Sequence, residues 1–182
     1  MSFENVVNLH EVEPEAGSWE DDPVANKSAR HYRARQVDLA GKVGAEKLGF
    51  GLWELPPGSF SCPYHYHVAE EELFLVLKGK AVLRMPEGFQ ELKEGDLVSL
   101  PTGPRHAHQF HNHTDEPFRM LALSTISKED VCEYPDSGKI LIRGQRRMVK
   151  AGDEASYLQG EEDPGRFWPV DHRFAGYEKE DE

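Results

Sequence analysis

Two histidines separated by one residue are the first feature of this sequence that could do chemistry. His65 and His67 lie in the run CPYHYH, and Glu72 follows five residues after the second histidine. Because side chains of a β-strand alternate between its faces, the two imidazoles would point to one side, about 7 Å apart at the backbone. Imidazole nitrogens and carboxylate oxygens are suitable ligands for divalent transition metals. The spacing predicts a metal site, although an exposed, polar strand end would give the same pattern.

A second cluster contains four of the nine histidines, namely His106, His108, His111 and His113. In a regular strand the first two would share one face with Asn112, whereas the last two would point the other way, into solvent. A fourth metal ligand is therefore expected from His106 or His108.

The first segment resembles the first motif of the cupin superfamily: a glycine, then HxH, then a glutamate, then a second glycine after six further residues. Glu72 satisfies the last spacing through Gly79, whereas Glu71 does not. The opening glycine, Gly58, stands one residue further from His65 than in the usual pattern. The resemblance selects Glu72 as the carboxylate ligand.

The second segment resembles the second cupin motif, and Gly95, Pro101 and Gly103 match it directly. Counting forward from Gly103 places the ligand at His106, whereas counting back from Asn112 places it at His108. We favour His108, because the HxxxN spacing lies within a strand of rigid register, whereas a turn can absorb extra residues. The segments CPYHYH, AHQ, LALST and YPDSGK also resemble an uncharacterised branch of small single-barrel cupins, in which the histidine before Gln is the ligand. His106 is then left as a candidate acid or base.

The resemblance implies an all-β fold, the cupin double-stranded β-helix or jelly-roll barrel, with N- and C-terminal extensions. It implies one divalent metal ion (Mn, Fe, Co, Ni or Zn) held by His65, His67, Glu72 and His108. The expected function is a metal-dependent enzyme of isomerase, epimerase, lyase or dioxygenase type, acting on a small polar metabolite such as a sugar derivative or organic acid. The alternative is a non-catalytic module that binds a sugar or effector at the metal. Single-barrel cupins commonly pair, so a homodimer is expected.

Short apolar runs broken by Gly and Pro predict the antiparallel strands that would position these residues. The runs are EKLGFGLWEL, ELFLVLKGKAVLRM, DLVSL and FRMLALST. Between residues 50 and 125 no segment has apolar residues at helical spacing over a length that would predict a helix. We expect the barrel over residues 45–127 and an N-terminal arm over 1–44 that packs on it. A C-terminal extension over 128–182 would contain a hairpin at 139–149 and a docked tail.

Charge and composition limit the partners. The chain has 182 residues with 33 acidic and 21 basic side chains, a formal charge of -12, which argues against a nucleic acid or an anionic membrane. It has no uncharged apolar stretch of about 18 residues, so we expect a cytoplasmic protein with a small-molecule ligand. Cys62 and Cys132 form no CxxC motif and are expected to be buried thiols.

Other polar side chains near the motifs have less specific expectations. Arg84, Arg105 and Arg119 could grip a carboxylate or phosphate in this acidic chain, but solvent exposure is the expectation for each. Tyr64 and Tyr66 alternate with the histidines of the first motif. They are therefore expected to face away from the metal, in packing or dimer contacts.

Overall fold

The computed structural model describes residues 3–16, 31–152 and 159. The prediction of an all-β fold is confirmed, since these ranges contain strands and short 3₁₀ turns but no α-helix. Over the same ranges no helix has the length and apolarity needed to cross a membrane. The strands are β1 Glu15–Ala16, β2 Arg35–Asp38, β3 Leu48–Leu55, β4 Tyr66–His67, β5 Glu72–Lys78, β6 Lys80–Met85, β7 Gly88–Lys93, β8 Leu97–Leu100, β9 Gln109–His111, β10 Phe118–Thr125, β11 Val131–Tyr134, β12 Lys139–Ile142 and β13 Arg147–Lys150.

The chain divides into two compact units, Met1–Lys150 and Ala151–Glu182. All the strands above belong to the first unit. The docked tail expected from the sequence lies in the second unit, almost entirely outside the described residues. The division into arm, barrel and extension stays a prediction.

The strands form three antiparallel sheets. The largest has the order β1-β2-β3-β10-β5-β8, the second has β13-β12-β11-β4, and the third has β7-β6-β9. The long strands β3 and β10 pair along their whole length, and β5 lies on the other side of β10. Because these pairings join residues far apart in sequence, the two motif segments can be brought onto one surface.

Alternation along β5 and β10 creates the core. In β5, Phe74 and Val76 are buried while their neighbours are partly exposed, and in β10 Phe118 and Met120 are buried in the same way. Phe110 from β9 packs against Phe74 with ring centroids 4.8 Å apart. Burying an aromatic side chain of this size contributes about 2–3 kcal/mol to stability. The core therefore supports the strand that carries Glu72.

Two isolated bridges close the sheets on one another. Phe60 bridges His111, and His65 bridges His108. Around the second bridge, the His65 amide donates to the His108 carbonyl at 3.2 Å and the His108 amide donates to the His65 carbonyl at 2.8 Å. These bonds join the two motif segments directly.

Gly79 makes the tight connection between β5 and β6. Its φ is +81°, and a β-carbon there would lie 2.7 Å from the Pro117 carbonyl oxygen. A side chain would meet rigid backbone in a left-handed conformation that disfavours any other residue. The motif glycine is therefore explained by backbone geometry.

The C-terminal part of the first unit adds a three-stranded meander beside the first motif. Strand β12 pairs with both β11 and β13, and the connection between β12 and β13 contains the 3₁₀ turn Arg143–Gln145. Strand β11 in turn pairs with β4, with Cys132 opposite His67. The meander thereby carries side chains to the back of the histidine pair.

Asn112 joins two segments of the barrel from a fully buried position. Its side-chain amide donates to the carbonyls of Leu55 and Glu116, both at 2.8 Å. Its Oδ1 accepts from the amide and the hydroxyl of Thr114. The motif asparagine therefore acts as a structural link in this fold.

We expect Asn112→Ala to lower the free energy of unfolding by about 3 kcal/mol, because it leaves two carbonyls without their donors. Urea denaturation followed by circular dichroism measures the change. Asn8→Ala, which removes exposed hydrogen bonds, is the matched control and should cost less than about 0.5 kcal/mol. A loss below about 1 kcal/mol at Asn112 would contradict this structural role.

Candidate metal centre

Side chains from both motifs converge inside the barrel. One ligand atom from each of His65, His67 and Glu72 lies within 4.8 Å of the others. The Nε2 atom of His108 lies 3.3 Å from Glu72 Oε2, and the Nε2 atom of His67 lies 3.5 Å from the same oxygen. The structure thus brings together the four side chains named as ligands from the sequence.

Backbone carbonyls orient two of the three imidazoles. His65 Nδ1 donates to the Pro63 carbonyl at 3.0 Å, and His108 Nδ1 donates to the His106 carbonyl at 3.1 Å. Because a carbonyl can only accept, each Nδ1 carries the ring proton and each Nε2 keeps a lone pair. The Nε2 atoms of His65 and His108 are therefore the nitrogens that can bind a metal ion.

A carboxylate orients the third imidazole. His67 Nδ1 donates to Asp130 Oδ2 at 2.7 Å, and Asp130 Oδ1 accepts from the Ala69 amide at 3.0 Å. Burial raises the pKa of Asp130, but the hydrogen bonds from His67 and Ala69 outweigh it and hold this pKa below its ordinary value. A carboxylate behind a ligand histidine is a common arrangement around protein-bound metals.

Glu72 supplies the strongest indication that a cation fits here. Within the described part of the chain, its buried Oε2 has no hydrogen-bond partner. The nearest polar atoms, the Nε2 atoms of His67 and His108, present lone pairs instead of protons. Acceptors facing acceptors in a buried space are costly unless a positive ion lies between them. The donor set therefore fits a divalent metal.

Burial favours the uncharged form of three of the proposed ligand side chains. It lowers the pKa of His108 to about 3 and lowers the pKa of His65, while it raises the pKa of Glu72. His65 and His108 are therefore neutral at physiological pH, as metal ligation requires.

The prediction that the histidines of the second motif lie on two faces assumed one regular strand. The structure does not have such a strand in this segment. Pro104–His106 is a 3₁₀ turn, and β9 begins only at Gln109. The Gly103 amide, at a residue with φ of +97°, donates to the His67 carbonyl at 2.8 Å and so ties this turn to the first motif. His106 is half-buried and contributes its carbonyl to His108.

The histidines expected in solvent lie away from the centre. His111 is partly exposed and stacks on Phe60 with ring centroids 4.1 Å apart. His113 is exposed, and its Nε2 lies 3.3 Å from Glu91 Oε2.

Aromatic side chains hold the ligand rings in place. Phe74 lies 5.8 Å from His108 between ring centroids, and Tyr134 stacks on His65 at 5.8 Å. Burial raises the pKa of Tyr134 to about 12, so its hydroxyl stays protonated. Tyr134 was not identified from the sequence, because it lies on β11, far from both motifs.

Both cysteines lie behind the ligand histidines. Cys62 Sγ is 3.5 Å from His65 Nδ1, and Cys132 Sγ is 3.4 Å from His67 Nδ1. Burial raises the pKa of each thiol to about 12. The thiols are free and protonated, and they contact the nitrogens that face away from Glu72.

Glu70, Asp130 and Arg143 form a charged group that sequence reasoning missed. Arg143 bonds Glu70, and its guanidinium lies 3.7 Å from Asp130 Oδ2. Glu70 also accepts from the Ser127 amide at 2.8 Å. Asp130 is 63 positions from His67 and belongs to no motif, so spacing gave no signal for it.

Two of the three arginines considered as ligands for a carboxylate or phosphate form ion pairs with other residues of the chain. Arg84 makes a bidentate ion pair with Asp136. Its guanidinium carbon lies 3.9 Å from the centroid of the Tyr64 ring. Arg119 pairs with Glu54 at 2.7 Å. Arg105 is exposed on the 3₁₀ turn beside His106.

The remaining tyrosine of the first motif, Tyr66, donates to Glu133 at 2.5 Å.

Residues 51–124 match the sequence model of the Cupin domain family. An uncharacterised protein of Aquifex aeolicus is 39% identical over 63 residues, which is 35% of this chain and 50% of that protein. The chain spans about half the length of the curated relatives it matches.

Two solved structures share the fold over most of the chain. The first, from Acidithiobacillus ferrooxidans, is described as a proposed sugar phosphate isomerase; the TM-score is 0.72 at 25% identity, covering 84% of this chain and 96% of that one. The second, from Silicibacter pomeroyi, is described as a sugar phosphate isomerase from a cupin superfamily; the TM-score is 0.70 at 25% identity, covering 84% and 97%. The expected cupin jelly-roll barrel is confirmed.

In metal-free protein kept in chelator, we expect Glu72→Gln to raise the free energy of unfolding by about 1 kcal/mol. The amide carries no charge into the buried site and could donate to one of the Nε2 lone pairs. Thermal and urea denaturation measure the change. The control Glu71→Gln alters an exposed neighbour and should stay within about 0.5 kcal/mol. A clear loss of stability in Glu72→Gln alone would mean that the carboxylate is already compensated without metal.

Proposed function

The chain belongs to the cupin superfamily through its domain at residues 51–124, and from this premise we propose a metal-dependent enzyme acting on a small polar metabolite. His65, His67, Glu72 and His108 hold one divalent ion, which is Mn, Fe, Co, Ni or Zn. The observation that carries the proposal is the convergence of free Nε2 lone pairs on a buried carboxylate oxygen that has no donor among the described residues.

The composition of the ligand set supports a site with reactive capacity. Three neutral imidazoles and one carboxylate reduce the charge of a divalent ion to +1 and offer four ligands of borderline hardness. When bound with open coordination positions, such an ion can polarise a carbonyl or bind a substrate oxygen. The protein side chains then orient the substrate and move its protons.

A phosphorylated sugar is the substrate class we propose first. The two solved structures described as sugar phosphate isomerases support it, since each is 25% identical over 84% of this chain. A phosphate also needs a cationic partner, and Arg105 is exposed beside the second motif with no ion pair among the described residues. Arg84 and Arg119 already bind carboxylates.

Isomerisation of a sugar moves a proton between neighbouring carbon atoms and so needs a proton carrier near the metal. We propose His106 for this role, because it lies two residues from His108 on the turn that is tied to His67. Its ring has no hydrogen-bond or ion-pair partner within the described residues, so it is available to a substrate.

The second candidate function is a non-catalytic module that binds a sugar or effector through the metal. It is favoured by one observation: apart from the proposed ligands, no side chain of the described structure forms a hydrogen bond or ion pair with Glu72 Oε2. A cytoplasmic location and the absence of a nucleic-acid partner remain predictions from the sequence.

Metal titration tests the proposal. Chelator-stripped protein should bind one equivalent of at least one of the five metals in calorimetry. His108→Ala should weaken that affinity by more than about 100-fold, because it removes a direct ligand. His106→Ala and the control His113→Ala should leave it within about threefold. Loaded protein incubated with aldose and ketose phosphates should interconvert them, as followed by NMR, and His106→Gln should slow the reaction without changing metal affinity.

Each outcome has a distinct meaning. Wild-type protein that binds none of the five metals would overturn the metal site. Metal affinity lost in His106→Ala and kept in His108→Ala would reverse the ligand assignment. Tight metal and sugar phosphate binding without turnover would favour the non-catalytic module.

We also propose a homodimer formed through the outer face of the largest sheet. Because Phe74 points into the core, the residues that flank it in β5 point outward, and the strand register sets other leucines beside them. The resulting apolar group consists of Leu73, Leu75, Leu97, Leu121 and Leu123. Leu97 is 62% exposed, and an apolar sheet face of this kind suits a second copy of the same surface.

Light scattering over a range of protein concentrations should give the mass of a dimer. Leu97→Glu should weaken the dimer at least tenfold, about 1.4 kcal/mol, because it puts a charge into the apolar group. The matched control is Phe89→Glu, at a side chain 77% exposed on the third sheet, and it should remain dimeric. A wild-type protein that is monomeric at every concentration would contradict this assembly.

A further inference from the structure

We propose that Asp130 is a positioning residue that selects the ring tautomer of His67 and so makes its Nε2 available to the metal. The inference rests on the proposed metal site and names a residue outside both sequence motifs. Asp130 is fully buried and lies immediately before β11. It acts through His67, to whose Nδ1 it is hydrogen-bonded.

Both carboxylate oxygens of Asp130 accept hydrogen bonds. Oδ2 accepts from His67 Nδ1 at 2.7 Å, and Oδ1 accepts from the backbone amide of Ala69 at 3.0 Å. An ionised carboxylate can only accept hydrogen bonds, so His67 must place its proton on Nδ1. The other nitrogen, 3.5 Å from Glu72 Oε2, then keeps its lone pair.

A cation lies beside Asp130. Arg143 bonds the buried Glu70, and its guanidinium lies 3.7 Å from Asp130 Oδ2. The Arg143 amide also donates to the Asp130 carbonyl at 3.1 Å. The hydrogen bonds from His67 and Ala69 keep the pKa of Asp130 below its ordinary value, and the guanidinium adds a positive charge nearby, so the carboxylate is not an unpaired charge in the interior.

His67 differs in this respect from the other two histidines. His65 and His108 donate to neutral backbone carbonyls, whereas His67 donates to a carboxylate. A charged acceptor makes the stronger hydrogen bond and raises the basicity of the opposite nitrogen. Among the three ligand histidines, His67 is therefore the one whose metal affinity should respond to a substitution of its hydrogen-bond acceptor, Asp130.

A different use of the same atoms would be a second metal site. His67, Asp130 and Cys132 also bring three potential ligand atoms within 4.8 Å of one another. A cation there would need the His67 proton removed and would lie near the Arg143 guanidinium, so repulsion disfavours it. We infer a hydrogen-bonded support in place of a second ion.

Asp130→Asn gives a sharp test, because only one orientation of the amide satisfies its neighbours. The amide oxygen must face the Ala69 amide, which can only donate, so the NH₂ group must face His67 Nδ1. That nitrogen must then accept, and the ring proton moves to Nε2, where it points toward Glu72. The matched control is Asp136→Asn, which makes the same chemical change at an exposed ion pair with Arg84.

The experiment reads the tautomer and the metal affinity separately. Long-range ¹⁵N–¹H correlation spectra of the metal-free full chain should show His67 with its proton on Nδ1 in the wild type and the control, and on Nε2 in Asp130→Asn. Calorimetry with Zn²⁺ and Co²⁺ should show affinity reduced about 10- to 100-fold in Asp130→Asn alone. A merely structural role would lower stability without moving the proton.

The outcomes separate this inference from the proposed function. A wild-type His67 with its proton on Nε2 overturns the inference without any variant, so a misfolded variant does not protect it. Unchanged tautomer and affinity in a folded Asp130→Asn overturn it while the metal site stands. Two equivalents of metal bound by the wild type, with one lost in Asp130→Asn, also overturn it, in favour of the second site. Wild-type protein that binds no metal overturns the proposed function, while the spectra still decide the tautomer.

Discussion

Two backbone hydrogen bonds between His65 and His108 join the two motif segments, and the rest of the site depends on them. They join positions more than 40 residues apart at 2.8 and 3.2 Å. Backbone hydrogen bonds fix the direction of the adjoining side chains to within a rotamer choice, and the carbonyls behind each Nδ1 fix that choice. With this bridge in place, the neighbouring strands β4 and β5 bring His67 and Glu72 to the same centre.

The site is built at a cost to stability. A buried carboxylate oxygen without a donor and neutral histidines facing it would destabilise a fold that had no use for them. The surrounding structure offsets this cost through the aromatic core around Phe74 and through fully satisfied polar groups such as Asn112. The contrast between satisfied Asn112 and unsatisfied Glu72 is the physical reason for assigning structure to one and ligand binding to the other.

Charge is organised in two layers around the histidines. Glu72 faces the free Nε2 atoms, and Asp130 lies behind His67, with the Arg143 guanidinium 3.7 Å from its Oδ2. The outer layer comes from the meander of β11 to β13, beyond the residues that match the Cupin domain family. Residues beyond the matched domain therefore contact the ligand His67 within it.

Local patterns in the sequence predicted the strands of the all-β fold and one shared side for His65 and His67, because side-chain alternation acts over a few residues. The choice of Glu72 over Glu71 came from the resemblance to the first cupin motif. Spacing left both His106 and His108 as candidates for the fourth ligand. The choice between them depended on a 3₁₀ turn whose length no strand rule fixes, and the structure places that turn at Pro104–His106.

Asp130, Arg143 and Tyr134 could be recognised only in the tertiary structure. Asp130 reaches His67 across 63 positions through the pairing of β11 with β4, and neither strand carries a pattern that names its partner. Periodicity and motif spacing report which way a side chain points within its own element. Which distant element it then meets is decided by the closure of the sheets around one shared core.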